Sequence, residues 1–204
     1  MTINYKETGT VSAVKGPVVY LKGLDKCLYG QIVKFGYETS GMIVGFDENG
    51  VQALILKETQ PITPGDEVTA VLEPFYVPVG EKFVGRVVNA ICEPCDGQGA
   101  IVPDDHYSIF RDAPTVMERK PIDAPMETGV KLVDALIPVG RGQRELVLGD
   151  KMTGKTTICT DAILNQKGKD VICIYCCIGK SNAQLGRVID LFKKHKAFDY
   201  TIIV

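Results

Sequence analysis

Between residues 8 and 72, apolar and polar positions alternate in six short runs: GTVSAV, GPVVYLKG, YGQIVKF, GMIVGF, VQALIL and EVTAVL. A period of two marks strands with one buried face. Turn signals separate the runs: Lys15-Gly16-Pro17, Gly36, Asp47-Glu48-Asn49-Gly50 and Pro64-Gly65-Asp66. Asn49-Gly50 is the strongest hairpin signal among them. Six strands in so short a span suit a small closed barrel, which leaves no sheet edge unpaired. Such a barrel could bind oligonucleotides, but this one lacks a basic, aromatic-lined face. An interaction or assembly module is the expectation.

After residue 74 the pattern changes, so the chain divides into a barrel, 1–74, and a second domain, 75–204. Residues 77–80 read as a connector and 83–91 as a strand. Pro103, Pro114, Pro121 and Pro125 then predict extended, irregular chain. Residues 128–137 predict a short amphipathic helix with Val130, Val133, Ala135 and Leu136 on its buried side. Residues 145–148 (ELVL) read as a short buried strand, and 157–166 as a helix with Ile158, Ala162 and Ile163 on one face. The run 171–178 suits a central parallel strand covered on both faces. Residues 181–195 predict a helix packed through Leu185, Val188, Ile189 and Phe192, with Ser181 as cap and Lys193, Lys194 and His195 at its negative end. Residues 200–204 begin another strand. The fold class is thus a β-barrel followed by an α/β domain with a mostly parallel sheet, expected to be incomplete at its C-terminal end.

Composition removes several function classes. The 204 residues are 45% hydrophobic and 24% charged, in the globular range. The net charge of −2 gives no electrostatic reason to expect nucleic acid. No apolar run is long enough for a membrane span, so direct membrane insertion is not expected. The first residues, MTINYKETG, carry no apolar signal region, which makes a cytosolic setting the default. The 7 cysteines do not suggest a disulfide framework. Cys92 with Cys95, and Cys173 with Cys176 beside Cys177, have C-x-x-C spacing. A zinc or redox reading competes there with a structural one, and the apolar strand around the second group favours the structural reading. His106 has no partner motif nearby and reads as a surface residue.

The candidate chemistry lies in GDKMTGKT: Gly149, Asp150, Lys151, Met152, Thr153, Gly154, Lys155 and Thr156. It fits G-x-x-x-x-G-K-[ST], between a predicted strand and a predicted helix. Gly149 and Gly154 let the backbone bend so that N–H groups converge on one point. The helix adds the positive end of its dipole. Lys155 can reach the β- and γ-phosphates, and the Thr156 hydroxyl is a hard ligand for Mg²⁺. ATP or ADP with Mg²⁺ is the expected ligand. No convincing acidic partner for the metal, and no group to position attacking water, follows Thr156. Asp161 and Asp190 fall on helices, Asp170 and Asp199 in loops.

PVGRGQRELVLGDKMTGKTT resembles the signature of the ATP synthase alpha subunit, whose loop commonly reads GDRQTGKT. GTVSAVKGPVVYLKGL resembles its first barrel strands, and VPVGEKFVGRVVNAICEPCDGQG its entry into the nucleotide domain. The resemblance implies a peripheral complex at the cytoplasmic face of the membrane. In it, alpha subunits alternate with beta-type subunits in a ring around a central stalk subunit. It implies a regulatory site that binds Mg-ATP without hydrolysing it while beta subunits catalyse proton-driven ATP synthesis. The family's catalytic subunit carries glutamate shortly after the strand matching 171–178, and alpha carries glutamine. Here Gly179-Lys180 follows, and Met152 replaces the loop glutamine. The arginine that alpha lends to the neighbouring site, and the rest of the nucleotide domain, are expected beyond Val204. The alpha subunit's N-terminal helix has no counterpart before Tyr5. A ring-assembly module with a vestigial loop, or a stand-alone export-type or Rho-type ATPase, are the rival readings.

Overall fold

In the computed structural model, which describes residues 7–36, 38–48 and 50–204, the alternating pattern becomes a closed barrel. Its strands are β1 (Glu7–Lys15), β2 (Val18–Lys22), β3 (Gln31–Phe35), β4 (Thr39–Asp47), β5 (Gly50–Lys57) and β6 (Glu67–Pro74). They are antiparallel, in the order β1-β2-β5-β4-β3-β6, and β6 closes onto β1. Alternate residues point inward: Val19 and Leu21, Val33 and Phe35, Val51 and Ala53, Val68 and Ala70 are buried. Small side chains face large ones, with Ala53 opposite Val19 on one neighbour and Ile43 on the other. Interdigitation of this kind fills a narrow barrel. The β4–β5 hairpin turns where expected, with Asp47 paired to Gly50. At Gly50 φ is 129°, and a Cβ would lie 2.3 Å from the Leu21 carbonyl oxygen. Asn49 of that turn, Tyr37 and residues 1–6 lie outside the described residues.

Two units divide the chain: residues up to Pro78 together with Asp105–Arg111, and Val79–Asp104 together with Asp112–Val204. The expected connector at 77–80 is instead a strand, β7 (Tyr76–Val79), paired with β8 (Asp105–Ser108). His106 on β8 is exposed.

The second unit contains β9 (Pro125–Met126), α1 (Lys131–Leu136), β10 (Val139–Gly140), α2 (Lys155–Leu164), β11 (Cys173–Tyr175), α3 (Asn182–Lys194) and β12 (Thr201–Ile203). β11 and β12 are parallel, with Cys173 opposite Thr201 and Tyr175 opposite Ile203. α3 follows its sequence pattern. Ser181 precedes it, Gln184 Oε1 accepts the Ser181 N–H at 3.3 Å, and Val188 and Phe192 are buried. Phe192, Tyr175, Ala197 and Ile203 form the buried centre, flanked by Leu185 and Ile189. A second anchor is Arg86, which grips Asp96 with two N–H groups at 2.6 and 2.8 Å and donates to Gly99 O at 2.7 Å.

Four expectations are corrected here. Residues 83–91 form turns with only single bridges, Val87 to Ile203 and Val88 to Pro94, because Gly85 (φ 85°) and Cys92 (φ 64°) reverse the backbone. ELVL, 145–148, is not a strand: it has no ladder partner among the described residues, and Leu146 and Leu148 are each 78% exposed. The helix in 128–137 forms as α1, but Ala135 and Leu136 are exposed and α1 buries none of its residues. Its start is organised by polar contacts instead, with Asp134 accepting from the Thr128 and Gly129 N–H groups, each at 2.8 Å. In 171–178 the parallel strand is three residues long and buried on one face only: Cys173 and Tyr175 point in, while Ile172, Ile174 and Ile178 are exposed. For ELVL and 171–178, an apolar run marks what would be buried inside a layered sheet, but among the described residues no layer covers the exposed side chains.

Candidate functional site

The loop 149–156 runs from irregular chain into α2, which starts at Lys155, two residues earlier than expected. Gly154 is the N-cap, left-handed at φ 89° and ψ 9°. A Cβ there would meet nothing within 4 Å, so the conformation, not space, selects glycine. Gly149 is the reverse case. Its Cβ would sit 2.7 Å from Thr153 Oγ1, which donates to Asp150 O at 2.8 Å. Asp150, Lys151 and Met152 are exposed, and Met152 is also left-handed at φ 69°. The N–H groups of Lys151, Met152, Thr153 and Gly154 have no protein acceptor among the described residues. They join the unsatisfied N–H groups of the first turn of α2. That donor set fits an anion such as a phosphate.

Lys155 folds back over its own loop. Its Nζ donates to Gly149 O at 2.6 Å and to Asp150 O, and lies 3.4 Å from Thr153 Oγ1. The carbonyl oxygens hold the ammonium at the position from which it can turn to an incoming phosphate. Thr156, the next residue, is exposed, and its Oγ1 accepts a hydrogen bond from Lys180 Nζ at 3.3 Å. Lys180 Nζ also donates to the Tyr175 hydroxyl at 2.6 Å and lies 5.2 Å from that ring's centroid. The hydrogen bond to Tyr175 raises the Lys180 pKa above the ordinary lysine value, so the group is cationic at neutral pH.

The loop therefore brings Lys155, Thr156 and Lys180 together, and through Lys180 it reaches β11. The acidic candidates stay outside: Asp161, Asp170, Asp190 and Asp199 are all exposed and none bonds to the loop among the described residues. Tyr175 is the residue that sequence reasoning missed. Its signal was the alternation of CIYC, which puts Tyr175 on the inward face of a strand five residues before Lys180.

Two family models match the chain. The beta-barrel domain of the ATP synthase alpha/beta family matches residues 4–71, and the nucleotide-binding domain of the same family matches residues 129–204. The chain belongs to the ATP synthase alpha/beta family. It is 45% identical to the ATP synthase subunit alpha of Petrotoga mobilis over 203 residues. That match covers 98% of this chain, which spans 40% of the relative's length. The family's nucleotide-binding model contains the whole loop, α2, β11, α3 and β12, and its barrel model contains β1 to β5 and most of β6.

Thr156 Oγ1 is the motif hydroxyl that a Mg²⁺ ion at this loop would meet. Such an ion would draw its other ligands from water and phosphate, as Mg²⁺ sites commonly do. Among the described residues no group of three His, Cys, Asp or Glu side chains could hold a metal. No described helix is long and apolar enough to cross a membrane.

Proposed function

We propose that residues 149–156 bind the phosphates of ATP or ADP, and that the chain is a nucleotide-binding, non-hydrolysing part of an ATP synthase alpha-type subunit. On this reading the barrel, 1–74, joins a ring in which alpha alternates with beta-type subunits around a central stalk subunit. Residues 75–204 carry the nucleotide loop. The complex is peripheral, at the cytoplasmic face of a membrane, and the site regulates proton-driven synthesis at neighbouring beta sites. The Thr156 hydroxyl is the motif side chain that a Mg²⁺ ion arriving with the nucleotide would meet, and Lys180 already bonds to it.

One observation carries the non-catalytic reading. The side chain that reaches Thr156 from the end of the neighbouring strand is an ammonium, Lys180, not a carboxylate. A cationic lysine has no lone pair with which to take a proton from water. Calorimetry with ATP, and phosphate release with Mg-ATP, test both halves. Binding that Lys155→Ala weakens, without turnover above buffer, supports the proposal. Robust turnover, or binding indifferent to Lys155→Ala, contradicts it.

The fold-back of Lys155 onto Gly149 O and Asp150 O favours one second reading, an assembly module whose loop is vestigial. Hexamers with a beta-type subunit that form equally with and without nucleotide, together with absent ATP binding, select that reading.

A further inference from the structure

Resting on the nucleotide reading of the same loop, we infer that Lys180 stands where Mg²⁺ would act, so that this site holds a nucleotide's phosphates without the metal. The geometry is a chain of three contacts. Tyr175 is buried on β11, where its ring meets Phe192 edge-on, with centroids 5.9 Å apart and planes at 88°. From this fixed base its hydroxyl holds Lys180 Nζ at 2.6 Å, and the same ammonium donates to Thr156 Oγ1 at 3.3 Å. The cation is therefore stationed beside the motif hydroxyl that would ligate Mg²⁺.

Mg²⁺ binds oxygen at about 2.1 Å. On Thr156 Oγ1 it would lie within roughly 5 Å of an ammonium already bonded to that oxygen, and two cations at that separation repel. A bound Mg²⁺ must displace Lys180 from its hold on Tyr175 or share the hydroxyl with it. A metal-free triphosphate meets no such conflict. Lys155 from the loop and Lys180 from the neighbouring strand end supply two positive charges, and charge-assisted hydrogen bonds from both can neutralise the oxygens that Mg²⁺ ordinarily bridges.

The experiment is an ATP titration by calorimetry, in Mg²⁺ and in EDTA, for the chain as it stands and for Lys180→Gln, Lys180→Arg and Tyr175→Phe. The quantity read is the ratio of Kd in EDTA to Kd in Mg²⁺. It should be near one for the parent chain and rise by at least about fivefold in Lys180→Gln, the scale of one lost charge-assisted contact. Lys180→Arg should return it toward the parent value, and Tyr175→Phe should fall between, because the ammonium remains but is no longer held. Fluorescence-monitored unfolding of each variant separates loss of fold from loss of binding. A rise of less than fivefold in Lys180→Gln, with ATP still bound through Lys155, overturns this inference and leaves the nucleotide reading intact. If the parent binds no ATP in either buffer, both fall together.

Discussion

The barrel and the second unit are built from equally apolar runs, yet they spend them differently. In the barrel, Val19, Leu21, Val33, Ile43 and Val68 are essentially sealed. In the second unit, Leu146, Leu148, Ile174 and Ile178 stand in the open, and burial concentrates where α3 meets β11 and β12 around Phe192. The reason is topological. A closed antiparallel barrel provides each strand's two neighbours and its inner core from one continuous stretch of chain. A parallel layer needs covering on both faces, from elements distant in sequence. Apolar residues announce a demand for burial, and only the topology says whether nearby chain can meet it.

The largest effects should come from breaking the two places where burial is complete. Phe192→Ala should cost about 3–5 kcal/mol and Leu21→Ala about 2–5 kcal/mol, the usual range for core truncations. Leu148→Ala should fall within about 0.5 kcal/mol, as for other exposed positions. Urea unfolding followed by circular dichroism compares the three. A Leu148→Ala loss as large as that of Leu21→Ala would mean that 145–148 is packed in solution, and the contrast between the units would fail.

The same contrast governs what could be read from sequence. All six barrel strands were legible because period-two alternation, read locally, is also what the closed barrel buries. α3 was legible because Ser181, the spacing of Leu185, Val188, Ile189 and Phe192, and the terminal lysines all point to one helix. ELVL was misread because a short run with three apolar residues says nothing about its sheet neighbours. The run 171–178 was half right: its parallel pairing with β12 is there, its second cover is not. At the site, the loop was legible as a motif. The Tyr175–Lys180–Thr156 contacts were not: Thr156 and Lys180 lie 24 residues apart, and although the alternation of CIYC turns Tyr175 inward, no pattern announces that its hydroxyl meets Lys180.

Two glycines sharpen the comparison at an intermediate scale. At Gly50, in the barrel hairpin, an added Cβ meets a backbone oxygen at 2.3 Å, and φ is positive as well. At Gly154, in the loop, only the left-handed φ resists substitution. Gly154→Ala should cost the strain alone, about 1–2 kcal/mol. Gly50→Ala should exceed it by about 1–3 kcal/mol, as overpacking against an unyielding neighbour does. Thermal unfolding of both variants ranks them, and equal losses would mean that the hairpin opens to admit the methyl group.

One ion pair of the second unit should respond to acid. The Arg86 guanidinium beside Asp96 holds its carboxyl well below the usual carboxylate range. The folded pKa is thus depressed, and the unfolded chain takes up the proton first. The pair's contribution is complete above an unfolded carboxylate pKa of about 3.9 and declines as pH falls below it. The urea midpoints of the parent and Asp96→Asn should therefore differ at pH 7 and converge on acidification. A gap that stays constant down to pH 2.5 would remove the pair from the acid response.

The gentlest probe perturbs no packing at all. The seven cysteines are free thiols spread over both units. Cys27, the barrel's one cysteine, is buried, as is Cys173 on the inward face of β11, and burial pushes both thiols above the ordinary value. Cys95, Cys159 and Cys176 are exposed. Since the thiolate is the reactive form, burial slows alkylation twice, by access and by ionisation. Brief iodoacetamide treatment at pH 8, read by peptide mass spectrometry, should modify the exposed three first and leave Cys27 and Cys173 for last. The comparison between Cys173 and Cys176 is the decisive part, because only two residues of one chain segment separate them. If they react at the same rate, the one-sided burial of β11 is lost in solution, and with it the fixed base from which Tyr175 holds Lys180. If Cys173 lags while Cys176 reacts, the strand keeps the inward face on which that arrangement depends.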